Sequence, residues 1–183
     1  MAQKFVIPHS RPTIDESDLL SVSEVIRSGR IVQGEEVEKF EKKMAKFIGV
    51  HGAVATNTGT SSLHLSLLAI GIKKGDNVAM PSFVCTALLN AVKYVGAQPT
   101  LVDINPETYN IDISDLKKRI KRTTKAIILP HLFGLPADID EILSLGIPVI
   151  EDCAQAIGAV YKGGKTGSFG RLSCFSFYAT KVL

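Results

Sequence analysis

From residue 53 onward, short apolar runs alternate with stretches of helical spacing, and loops or glycines mark most of the switches. The apolar runs fall near 53–56, 77–80, 100–104, 126–129, 148–150 and 172–177, and helical patterns fill 61–70, 85–95, 114–120 and 138–145. Strands that are apolar throughout, each followed by a helix, call for a mostly parallel sheet covered on both faces. The expected fold is therefore α/β, a three-layer α/β/α sandwich. Ligands of such sheets bind beyond the carboxyl ends of the strands. Residues 57–62, 81–83, 131–134 and 152–155 all fall at such ends, so the polar residues of interest converge on one edge.

Ahead of this alternation the chain reads differently. Pro8 and Pro12 disfavour helix, so residues 1–12 are expected to be extended. Thr13 and Glu16 form a capping-box pattern that opens a helix to about residue 28, with Leu19, Val22 and Ile26 on one face and Gly29 as its stop. A second amphipathic helix follows, carrying Val37, Phe40, Met44 and Phe47 before Gly49. The expected division is an N-terminal extended segment and helix, residues 1–34, and an α/β domain, residues 35–183.

At 183 residues the chain can build one sizeable core. A net charge of +3 is spread along it, and the densest basic patch, 117–125, suits the exposed side of a helix; no nucleic-acid partner is expected. No apolar run approaches a membrane span, and the N-terminus lacks the apolar centre of a signal peptide. Cys85, Cys153 and Cys174 are odd in number and lack metal-ligand spacing, as do the four histidines, His9, His51, His64 and His131. A cytoplasmic protein with free thiols, no metal and no membrane contact is expected. His64 reads as a helix surface residue, whereas His131 ends a strand at the functional edge.

Chemistry concentrates at the end of the chain, residues 151–181. An apolar run delivers Glu151 and Asp152, Gln155 follows three residues later, and a connection holding Gly163, Gly164, Gly167 and Gly170 leads to a second apolar run, then Ser176 and Lys181. A carboxylate can keep a ring nitrogen protonated as an electron sink while an amine forms a Schiff base. Taken singly, Asp152 reads rather as a helix cap, and Gln155 and Lys181 as surface residues; the rest of the chain reverses that. Upstream, Asn57-x-Gly59-Thr60-Ser61-Ser62 lies between an apolar run and a helix. Gly59 permits an unusual turn, and the amides and hydroxyls of Thr60 and Ser61 could hold a phosphate or merely cap the helix.

Together, Asn57-x-Gly-Thr-Ser-Ser, Glu151-Asp-Cys-Ala-Gln and Ser176-Phe-Tyr-Ala-Thr-Lys181 resemble the DegT/DnrJ/EryC1/StrS family of fold-type-I, pyridoxal-phosphate-dependent aminotransferases. The segments 28–34, 81–83, 102–104 and His131-Leu-Phe-Gly134 match as well, so the likeness runs from about Arg11 to the end. The resemblance implies transfer of an amino group, from glutamate, to a keto sugar, typically nucleotide-linked, in cell-surface polysaccharide biosynthesis. It implies that Lys181 forms the Schiff base and moves the proton. Asp152 would pair with the pyridine nitrogen and Gln155 would sit near the phenolic oxygen. Gly59, Thr60, Ser61 and Ser176 would bind the phosphate. A homodimer is implied, with residues borrowed across its interface. Related sugar dehydratases replace the lysine by histidine, which Lys181 argues against.

Two departures stand out. Where the family places an aromatic residue against the cofactor ring, four positions after Pro81, this chain has Cys85, and Phe83 is the nearby substitute. Family members are also about twice as long, so the remainder of the large domain and the C-terminal small domain are expected to be absent. A fragment or split-gene product without independent activity is the alternative. Unsatisfied apolar surface and strand edge in such a chain would favour association.

Overall fold

A computed structural model describes residues 11–181. The extended reading of residues 1–12 therefore lies, apart from Arg11 and Pro12, outside the described residues. Seven strands and six helices follow in the order α1 (Glu16–Ser28), α2 (Glu35–Ile48), α3 (Gly59–Ala69), β1 (Asn77–Pro81), α4 (Ala87–Tyr94), β2 (Gln98–Val102), α5 (Ile113–Arg119), β3 (Thr124–Pro130), α6 (Ile139–Leu143), β4 (Val149–Asp152), β5 (Val160–Tyr161), β6 (Gly164–Lys165) and β7 (Leu172–Cys174). Five strands form one all-parallel sheet ordered β2-β1-β3-β4-β7.

Strand periodicity divides the core into two layers. Val78, Met80, Ala126, Ile128, Ile150 and Cys174 face one side, where Leu63 and Leu67 of α3 and Leu88, Ala91 and Val92 of α4 cover them. Ala79, Val102, Ile127, Leu129 and Val149 face the other, beneath Leu116 of α5 and Ile139 and Ile142 of α6. Because both faces are covered, these strands carry apolar residues at successive positions. The expected three-layer α/β/α arrangement is the one observed.

Four local expectations are corrected. Residues 53–56 form no strand; no neighbouring strand pairs with them among the described residues, and the Ala55 N–H donates instead to the Glu41 carboxylate at 2.7 Å. Apolar content alone cannot make a strand without a ladder partner. The first helix is capped two residues later than Thr13: Asp15 accepts from the Ser17 and Asp18 amides, and Asp18 accepts from the Asp15 N–H at 3.0 Å. Asp supplies a charged acceptor at the positive end of the helix, which a Thr hydroxyl does not. Gly29 does stop this helix, at φ 69°. Its apolar face, Leu19, Val22 and Ile26, is more than half exposed rather than packed.

The last apolar run leaves the ladder at Cys174, three residues early, and 175–178 continue without regular structure. Inside the glycine-rich connection, β5 and β6 pair antiparallel as a hairpin. Its two turn residues, Lys162 and Gly163, have φ of 45° and 88°, the left-handed geometry that two-residue hairpins require.

Candidate functional site

The carboxyl ends of β3, β4 and β7 are in register, with Asp152 opposite both Pro130 and Cys174. Main-chain bonds extend this alignment past the strands: the His131 N–H donates to the Asp152 carbonyl at 3.1 Å, and the Cys153 N–H to the Cys174 carbonyl at 2.8 Å. The three connections leaving this edge therefore start at one level. Beyond them lies a cavity of about 600 Å³ lined by Thr58, Gly59, Thr60, Cys85, Asp152, Gln155, Ser176 and Lys181, among others.

Asp152 points from the end of β4 toward this cavity. One of its oxygens accepts the Ala154 N–H at 3.0 Å, an Asx-type turn that fixes the carboxylate. Burial pushes its pKa up, opposed by that amide and then by the positive charge of Lys181. Lys181 follows a turn closed by its own N–H to the Tyr178 carbonyl at 2.8 Å. That turn is what lets Ser176 and Lys181, five residues apart, line the same cavity.

Gln155 is oriented by the connection after β3. Its Oε1 accepts the Phe133 N–H at 3.0 Å, so the amide –NH₂ is the end left available as a donor. Phe133 itself adopts φ 55°, a left-handed conformation uncommon for an aromatic residue, and Gln155 helps hold it.

The start of α3 supplies the remaining polar surface. Thr58 is its N-cap; Thr58 Oγ1 accepts the Ser61 N–H at 3.0 Å and donates to Ser61 Oγ at 2.9 Å. The first two amides of the helix, those of Gly59 and Thr60, have no helical acceptor and point out of its positive end. A methyl group on Gly59 would lie 3.7 Å from Ser176 Cβ and 3.9 Å from its hydroxyl, so helix start and Ser176 form one wall. Amides, hydroxyls and a helix terminus together make a seat for an anion.

Of the residues singled out in the sequence, Gly59, Thr60, Asp152, Gln155, Ser176 and Lys181 meet in this cavity, whereas Ser61 and Phe83 are not among its lining. The Ser61 amide is taken by Thr58. Phe83 is half exposed and belongs to a group of aromatics, 5.8 Å from Tyr109, which is 6.1 Å from Phe133. Cys85, at the position where an aromatic is usual, does line the cavity. His64 is half-buried on α3 with its ring against Tyr94 at 5.6 Å.

Sequence reasoning left Glu151 without a role, and the structure gives it a large one. It is fully buried, with its carboxylate bonded to His131 and to the amides of Gly167, Phe169 and Gly170. The available signal was an acid at a core-facing position of an otherwise apolar strand.

Fold and site together define an α/β domain that presents a lysine, a carboxylate and an anion seat to one cavity at its strand carboxyl edge. The chain belongs to the DegT/DnrJ/EryC1/StrS aminotransferase family, matched over residues 12–183. It is 41% identical to the GDP-perosamine synthase of Escherichia coli O157:H7 over 97% of this chain and 50% of that protein. It is 40% identical to the UDP-N-acetyl-3-dehydro-alpha-D-glucosamine 3-aminotransferase of Acidithiobacillus ferrooxidans over 100% of this chain and 52% of that protein. The Streptococcus pneumoniae protein Spr1654, solved in its PLP form, superimposes with a TM-score of 0.93 at 30% identity, over 97% of this chain and 50% of that one. The chain thus spans about half the length of the relatives it matches.

Proposed function

We propose that this chain carries the cofactor-holding part of a pyridoxal-phosphate-dependent aminotransferase that transfers an amino group from glutamate to a nucleotide-linked keto sugar. The observation that carries this reading is the meeting of Lys181, Asp152 and the Gly59–Thr60 helix terminus in one cavity. The residues fit the group: an anion seat for the phosphate, a desolvated carboxylate for a protonated ring nitrogen, and an amine beyond it. When bound, the cofactor supplies an electron sink for the carbon that loses its proton.

The chain's own residues do the rest. Lys181 Nζ would hold the cofactor through its amine and would be the base that takes the proton from the substrate carbon. Asp152 would hold the ring nitrogen protonated; a carboxylate short of partners gains most from that cation. The free –NH₂ of Gln155 would be the donor to the ring hydroxyl oxygen. The hydroxyls of Thr60 and Ser176 and the amides of Gly59 and Thr60 would hold the phosphate, with Ser61 supporting them through Thr58.

The sugar is left as a class because relatives of nearly equal identity act, by their names, on different nucleotide sugars. Among the described residues no helix is long and apolar enough to cross a membrane, and the three free thiols suit the cytoplasm. A homodimer belongs to the same reading, its interface covering the mouth of the cavity.

The test is an absorbance spectrum with added pyridoxal phosphate before and after borohydride, beside Lys181→Ala. The expected result is a visible band, reduced onto Lys181 in a peptide map and lost in the variant. Equal labelling of both proteins would overturn the assignment of Lys181. With the loaded protein, glutamate should release 2-oxoglutarate stoichiometrically; no release would remove glutamate as the donor.

A further inference from the structure

Glu151 and His131 take no part in the steps above, yet they are among the few fully buried polar side chains. Strand alternation in β4 puts Asp152 on the cavity side and Glu151 on the opposite side, facing the glycine-rich connection. Glu151 Oε1 accepts from the Phe169 N–H at 2.8 Å and the Gly170 N–H at 2.6 Å; Oε2 accepts from the Gly167 N–H at 2.8 Å and lies 3.0 Å from His131 Nε2. Burial alone would push this carboxyl up, but His131 and the three amides outweigh it and hold it below its ordinary value. Glu151 is therefore an anion.

The protonation of His131 follows from its partners. The Ala137 N–H donates to Nδ1 at 3.1 Å, so Nδ1 carries a lone pair. Nε2 faces a carboxylate oxygen and must carry the hydrogen. The ring is thus the neutral Nε2–H form. Cys153 lies close by, and the three side chains offer ligand atoms within 4.8 Å of one another. Both ring nitrogens and both carboxylate oxygens are already engaged, however. Burial first, and the charges of Glu151 and Asp152 second, push the Cys153 thiol up, so it stays protonated. The cluster is organised by hydrogen bonds rather than built to receive a cation.

We propose that neutral His131 and anionic Glu151 form a positioning pair that ties the connection after β3 to the glycine-rich connection before β7 and so sets Gln155 and Asp152 in the cavity. The route is explicit. His131 Nδ1 and the buried Asn110 hold the connection from both sides: Asn110 Oδ1 accepts from the Leu132 N–H at 3.1 Å and its Nδ2 donates to the Leu135 carbonyl at 3.0 Å. That connection presents the Phe133 N–H to Gln155. The His131 N–H binds the Asp152 carbonyl, and the next residue, Cys153, donates its N–H to the Cys174 carbonyl, so the end of β4 is held from the β3 side and from the β7 side. The inference rests on the proposed roles of Asp152 and Gln155, but the pair itself can be measured without cofactor.

His131→Gln and His131→Leu separate the possibilities. Gln offers one donor and one acceptor and can replace both ring contacts; Leu offers neither. We expect nitrogen NMR of the wild-type chain to report the Nε2–H form. Deuterium exchange at Gly167, Phe169 and Gly170 should quicken about tenfold or more in His131→Leu and in Glu151→Gln, with pyridoxal phosphate affinity falling about tenfold. His131→Gln should stay within about threefold of wild type on both readouts. An Nδ1–H or doubly protonated ring in the wild type would overturn the proposal. So would His131→Leu with unchanged exchange and affinity, or a folded His131→Gln that fails as badly as His131→Leu. If wild type takes up no pyridoxal phosphate, the aminotransferase reading fails, while tautomer and exchange still judge the pair.

Discussion

Asp152 and Glu151 are neighbours in one strand, and their surroundings push them in opposite directions. Glu151 is held below its ordinary 4.5 by bonds that outweigh burial. Its contribution to stability is present above that value and is lost as pH falls through the lower folded value. Asp152 is raised above its ordinary 3.8 because burial outweighs its amide bond and the Lys181 charge. The folded state favours its neutral form below 3.8, and that advantage is lost as pH rises through the raised value. Wherever Asp152 is ionised it therefore costs stability, as a carboxylate buried without a cation beside it must. Asp152→Asn keeps the bond from the Ala154 amide; denaturant unfolding at pH 7 should show it more stable than wild type by about 1 kcal/mol, with the difference vanishing in acid, while pyridoxal phosphate binding is lost. Glu151→Gln should be less stable by about 2–4 kcal/mol at pH 7, because an amide cannot accept from four donors. The motif Glu-Asp was visible in the sequence; the opposite fates of its two members depend on which face of β4 each occupies.

Among the elements, the start of α3 and the glycine-rich connection carry most of the site's precision. Thr58 spends its hydroxyl on Ser61, so Thr58→Ala should lower unfolding free energy by about 1 kcal/mol, and Thr58→Ser should retain most of it. The same substitution frees the Ser61 amide, and a phosphate titration read by NMR should show that amide shifting in Thr58→Ala and not in wild type. Gly170 is needed for space rather than for turn geometry: a methyl group there would sit 2.8 Å from the Val149 carbonyl oxygen and 3.2 Å from Glu151 Cγ. Both neighbours are held, the carbonyl by the Arg171 N–H at 2.8 Å and the side chain by its four donors. Gly170→Ala should therefore destabilise by about 1–3 kcal/mol in a thermal or denaturant melt. The helices and parallel strands could be read from apolar spacing because spacing reflects burial directly. The hairpin β5–β6 and the failure of 53–56 to pair could not, since both depend on what lies beside the segment.

Over the whole molecule, apolar surface is distributed unevenly. The two core layers are closed, whereas Leu19, Val22 and Ile26 of α1, with Ile31, Val32 and Val54, are largely exposed. An exposed apolar helix face of this kind favours association. Sedimentation should show the chain associating as its concentration rises, and Leu19→Glu with Ile26→Glu should reduce this without altering the pyridoxal phosphate spectrum; a monomer at all concentrations would count against it. The sequence by itself determined the layer order, the parallel sheet, the edge on which polar residues gather and, through ordered motifs, the family. Those properties follow from hydrophobic period and from local residue order, which are written along the chain. Only the tertiary structure decided which candidates share the cavity. Ser176 and Lys181 meet because of a turn, Ser61 is withdrawn by Thr58, Phe83 lies outside the lining, and Glu151 lies behind the cavity rather than in it. Those outcomes depend on strand register and on hydrogen bonds between residues far apart in sequence, which no local pattern encodes.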